Sequence, residues 1–139
     1  QSLLRCGKIY RSSNKTSQPG TDLKKGTNTF TPRSEFWYDD EEMRWAIRQW
    51  ATRIGVKEPR VRFQMMEAQW GTITPSGWLT LDPMLLTMPK DLGEYVIVHE
   101  LVHQLVPNHG RVFKLFLYAY LPDWEEREKR LQEYAAKTG

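Results

Sequence analysis

All three histidines of the 139-residue chain fall between His99 and His109, and their spacing restricts the local fold more than any other feature. His99 and His103 are four residues apart. On an α-helix they differ by about 40° in direction and about 6 Å along the axis. Both imidazoles can then reach one ion, at about 2.0–2.1 Å from each nitrogen for zinc. Glu100 is turned about 100° from His99, which sets it beside such an ion rather than on it. A straight helix would carry His109 out of reach. Pro107 pushes Val106 out of the helical region, so the chain can turn back through Asn108 and return His109 to the same ion.

Three protein ligands and an open fourth position describe a catalytic zinc site, one ion per chain. A structural site would favour cysteine ligands and leave Glu100 without a task. Bound zinc lowers the pKa of its water from about 15.7 towards about 7. Glu100 can accept that proton as the water attacks a carbonyl, then pass it to the leaving amine, while the metal holds the developing oxyanion. Tyr118, Tyr120 and Arg111 are candidate second oxyanion donors, chosen by nearness in sequence alone.

The surrounding pattern places this segment in a small α+β domain. Tyr38–Ile54 reads as a first helix, with Asp39 as cap, Glu42 completing a capping box, and Met43, Ile47, Trp50 and Ile54 on one face. Gly55 is a natural stop. Val61–Met65 alternates as a half-buried strand does. Trp70–Ile73 and Trp78–Leu81 read as two strands of a hairpin turning at Pro75-Ser76-Gly77. The histidine helix runs from Asp91 to about Leu105. Two more helices follow, Arg111–Tyr120 and about Trp124–Ala136, divided by Pro122-Asp123. The expected architecture is a small, mostly antiparallel sheet with an N-terminal helix, the histidine helix and C-terminal helices on one face. The Trp70–Leu81 pair is the likeliest edge for an extended peptide to join as an added strand. Trp70 and Trp78 either line a pocket there or pack in the core.

Charge divides the chain. Residues 1–34 hold seven Lys or Arg against Asp22 alone, a net +6 on a body of −3. They lack an apolar period and read as a basic, extended arm that could follow nucleic acid phosphates. Residues 35–139 form the expected domain. No apolar run approaches the roughly 20 residues of a membrane span. The single cysteine, Cys6, excludes an internal disulfide and suits a reducing, intracellular compartment. The sequence leaves the oligomeric state open.

The stretch Tyr95–His103, then Pro107-Asn108-His109, Phe113 and Pro122-Asp123-Trp124, resembles the YgjP-like zinc metallopeptidases, minimal zincins distantly related to the SprT group. Trp70-Gly71 matches the Trp-Gly that this family carries on the strand before its metal helix; together with Trp78 of the same strand pair, Trp70 and Gly71 are the candidate substrate contacts. The resemblance covers roughly residues 60–133. It implies zinc at His99, His103 and His109, Glu100 as general base and acid, a zincin-like fold and a peptide or protein substrate. The chain departs from the family at Thr72-Ile73 (usually Ser-Cys), at Asp82 (commonly Asn) and at Gly110 (often Ser).

Rival readings are a YbeY-like ribonuclease, which shares the His-x3-His-x5-His spacing but typically has Gly where Glu100 stands, and a non-catalytic nucleic-acid or protein interaction module. A peptide deformylase would need an upstream cysteine ligand in a context that Arg5-Cys6-Gly7 lacks. That tripeptide is also similar to the cysteine switch of latent metallopeptidases, whose thiolate fills the open zinc position.

Overall fold

The structure, a computed structural model, describes residues 35–138. The arm expected over residues 1–34, and Cys6 within it, lie outside the described residues.

Helix α1 (Asp40–Ile54) starts where its cap dictates. The Asp39 carboxylate accepts the Glu42 amide at 2.9 Å. Glu42 reaches back one residue further than a simple capping box, accepting the Tyr38 amide at 2.7 Å. Met43, Ala46, Ile47, Trp50, Ala51 and Ile54 form its buried face. Gly55, in the left-handed conformation, closes the helix.

Strands β1 (Arg60–Phe63), β2 (Gly71–Ile73) and β3 (Trp78–Leu81) make a sheet in the order β1-β3-β2. The expected hairpin is present: β2 and β3 are antiparallel and turn at Gly77, whose φ of 99° suits glycine. β1 pairs with β3 in parallel, so the sheet is mixed, with one pairing of each kind. The connection after Phe63 reverses the chain into β2, and the hairpin reverses it again on the far side of β3. Leu79 and Leu81 turn inward and are fully buried; Val61, Phe63 and Ile73 pack beside them.

A short 3₁₀ helix (Pro83–Thr87) has no counterpart in the sequence reading. Asp82 produces it. One of its oxygens caps the turn through the Met84 amide at 2.9 Å, and the other accepts the Met66 amide at 3.0 Å. This departure from the family's usual Asn is thus a fully buried carboxylate that pins two loops.

Helix α2 (Lys90–Val102) is buried from Tyr95 through Val102 on every face, as expected of a helix enclosed by other elements. It packs against α1, β2, the 3₁₀ turn, α3 (Arg111–Tyr120) and α4 (Trp124–Thr138). Its regular part ends at Val102, three residues before the expected Leu105. The amides of His103, Gln104 and Leu105 instead bond the carbonyls of Glu100, Leu101 and Val102. The last turn has tightened to 3₁₀ spacing as the chain approaches Pro107. Polar clamps hold the first half of α2. Glu94 accepts Trp50 Nε1 of α1 and Arg127 of α4, each at 3.0 Å, and Asp91 takes a two-pronged bond from Arg130 of α4. Among the described residues no helix is long and apolar enough to cross a membrane.

Candidate metal centre

The three histidines converge. One ring nitrogen from each of His99, His103 and His109 lies within 4.8 Å of the others. His103 Nε2 and His109 Nε2 are 2.9 Å apart. Helical spacing brings His99 and His103 together, with ring centroids 4.9 Å apart. The tightened turn and Pro107 return His109, as the sequence required. The Asn108 side chain then accepts the Gly110 amide at 3.0 Å, which stabilises the reversal just before α3.

Each ring is oriented by a neighbour. His103 Nδ1 lies 3.1 Å from the Val106 carbonyl oxygen. A carbonyl can only accept, so that nitrogen carries the proton and Nε2 is left with its lone pair towards the cluster. His99 Nδ1 lies 3.3 Å from Glu100 Oε2, which likewise suits a protonated Nδ1. Phe113 lies under all three rings, with centroid distances of 4.9, 4.6 and 4.9 Å to His99, His103 and His109. Tyr95, one turn before His99, meets that ring edge-on and stacks on Trp124 of α4.

Burial is graded across the cluster. His99 and Glu100 are 5% and 1% exposed. His103 and His109 are half-buried, so solvent reaches the site from their side. Three imidazoles with ring nitrogens within 4.8 Å of one another, with the buried Glu100 carboxylate bonded to one of them, are a donor set that fits a borderline-soft divalent cation such as zinc.

The strand nearest the site is β2. A Cβ on Gly71 would stand 2.9 Å from Leu81 Cδ2 and 3.1 Å from Val96 Cγ1 of α2. Only glycine lets the strand lie that close to the metal helix. At the other end Gln104 Nε2 donates to the Thr74 carbonyl at 3.0 Å. β2 is an edge strand. Bonds at Trp70–Asp82 and Thr74–Trp78 set the antiparallel register, which turns the main-chain groups of Gly71 and Ile73 away from β3; Gly71 is buried there and Ile73 is half-buried.

The other sequence candidates have surroundings of their own. Trp70 is a core residue, 1% exposed. Trp78 stands on the outer face of the sheet under Arg60 and Arg62. The Tyr118 phenol bonds Glu125, which raises its pKa, and its ring meets Trp124. Tyr120 packs on Trp50 and Phe116. Arg111 is exposed at the start of α3. Sequence reasoning gave no role to Phe113 or the Val106 carbonyl. An aromatic four residues after His109 was a usable signal for the first; a main-chain acceptor leaves none.

A sequence model of the family described as "YgjP-like, metallopeptidase domain" matches residues 13–134. The match is wider than the 60–133 of the resemblance and begins inside the segment read as an arm. No curated protein matches the chain in sequence. Solved structures that share its fold include two archaeal proteins. The metallopeptidase zymogen of Pyrococcus abyssi abylysin is 23% identical with a TM-score of 0.54, over 62% of this chain and 84% of that one. The metallopeptidase zymogen of Methanocaldococcus jannaschii jannalysin is 17% identical with a TM-score of 0.59, over 66% and 94%.

Proposed function

Since the chain belongs to the YgjP-like metallopeptidase family, we propose that it hydrolyses peptide bonds with one zinc ion held by His99, His103 and His109 and with Glu100 as the proton carrier. The observation that carries this reading is the convergence of the three ring nitrogens within 4.8 Å, beside a carboxylate that is 1% exposed. Zinc bound there would supply an acidified water and a positive charge for the developing oxyanion. Glu100 accepts the proton of the attacking water and returns it to the leaving amine. The Nδ1 proton of His103, held by the Val106 carbonyl, keeps that ring in the tautomer that ligates through Nε2. An extended peptide lies along β2 and bonds the main-chain groups of the half-buried Ile73.

The test compares casein and RNA cleavage by the zinc-loaded wild type and by Glu100→Gln, which keeps shape and removes the proton acceptor. The expected result is casein hydrolysis reduced at least about 100-fold in the variant, with one zinc still bound per chain. Undiminished hydrolysis would overturn Glu100. RNA cleavage without casein cleavage would replace the reading with a nuclease.

A further inference from the structure

The outer face of the sheet, opposite the core and remote in the chain from the histidines, has a composition of its own. It carries Arg60 and Arg62 of β1, Trp78 and Thr80 of β3, and Thr72 of β2, because side chains alternate along each strand. Arg60 stands directly opposite Trp78 in the parallel register, with its guanidinium carbon 4.7 Å from the ring centroid. Arg62 reaches the same ring at 5.0 Å and is held by a 3.0 Å bond from Nε to Thr80 Oγ1. Both arginines are exposed. Among the described residues neither has a carboxylate partner, whereas Arg44, Lys90, Arg127 and Arg130 are all ion-paired. Asp82, just after β3, is buried and bonds two amides, so it adds no exposed negative charge to this face.

We propose that this face binds single-stranded nucleic acid. Two guanidiniums braced on one indole present their outward N–H edges as forks for phosphate oxygens. Trp78 and the guanidinium planes offer surfaces on which unpaired bases stack. The half-buried Thr72 adds a hydroxyl beside them, while the buried Thr80 serves to hold Arg62 in place. An acidic peptide would use the charges but not the stacking surface, and a duplex would hide its base faces. The net +6 of residues 1–34 adds long-range attraction for the same polyanion. The inference is independent of the peptidase reading.

The test is fluorescence anisotropy of the full chain with a labelled oligothymidylate of about twenty nucleotides, a length that spans more than one such patch. A duplex of equal length and a polyglutamate peptide are the comparators. The wild type should bind the single strand most tightly. Arg60→Gln with Arg62→Gln should weaken it at least about tenfold and flatten the salt dependence of log K by about 1.4, for two lost phosphate contacts. Trp78→Leu should weaken the single strand and leave duplex binding unchanged. If the double variant loses its thermal transition, Arg60→Gln alone should flatten the slope by about 0.7. An unchanged slope and affinity in a folded variant would overturn the proposal and leave binding to the arm. Tighter binding of polyglutamate would overturn it in favour of an acidic protein partner.

Discussion

His103 Nδ1 donates to the carbonyl oxygen of Val106 across 3.1 Å, so the residue that ends the last turn of the histidine helix also sets the tautomer of one of its proposed ligands. Pro107 holds Val106 in the conformation that presents this carbonyl. Pro107→Ala should weaken zinc binding by about tenfold, the lower range for loss of a partner that orients a ligand. Competition with a chromogenic chelator measures it. A far-ultraviolet spectrum equal to wild type would show that the helices remain.

Phe113 touches all three histidine rings and is 2% exposed. Phe113→Ala should cost about 3–5 kcal/mol in the metal-free protein. It should also lower zinc affinity, because the ligands lose their common support. Phe113→Leu should recover much of the stability but not the affinity. Thermal unfolding with and without zinc separates the two effects, since a bound ion stabilises by mass action.

Gly71 lies where a Cβ would press on Leu81 and Val96. Gly71→Ala should destabilise by about 1–3 kcal/mol and shift β2 outward from α2. With the peptide seated on β2, KM should rise more than kcat falls. A steady-state series on one peptide substrate would read that split. Equal changes in both constants would argue against β2 as the seat.

Glu42 provides a pH test away from the site. Its bond to the Lys90 ammonium, then the Tyr38 amide, hold its carboxyl below the ordinary value of 4.5. A depressed folded pKa contributes stability that is present above the unfolded value and is lost as pH falls through the folded one. Glu42→Gln should therefore cost a modest amount near neutrality, about 1 kcal/mol or less for so exposed a pair. The difference from wild type should close below pH 4.5. Urea melts at several pH values would follow it.

Local rules made the histidine cluster legible. His99 and His103 are joined by helical period, and His109 by a proline that breaks it, so no distant contact was needed. The hairpin followed from Gly77, and α3 from its apolar period between Gly110 and Pro122. What escaped depends on partners far apart in the chain. Asp82 reads as a loop residue until Met66 is folded beneath it. Glu94 reads as a surface carboxylate until Trp50 and Arg127 arrive from two other helices. Trp70 and Trp78 look alike in sequence, yet strand alternation and the buried start of β2 send one into the core and the other outward. The parallel pairing of β1 rests on which side of β3 it enters, and no residue of β1 encodes that choice by itself.

The side of β2 turned away from β3 is short, Gly71 and Ile73, and of the two only Ile73 is partly exposed. A seat of that size is too small to pry a strand out of a finished sheet, whose backbone groups are already satisfied. The enzyme would therefore sort its targets by conformational state before it reads their side chains.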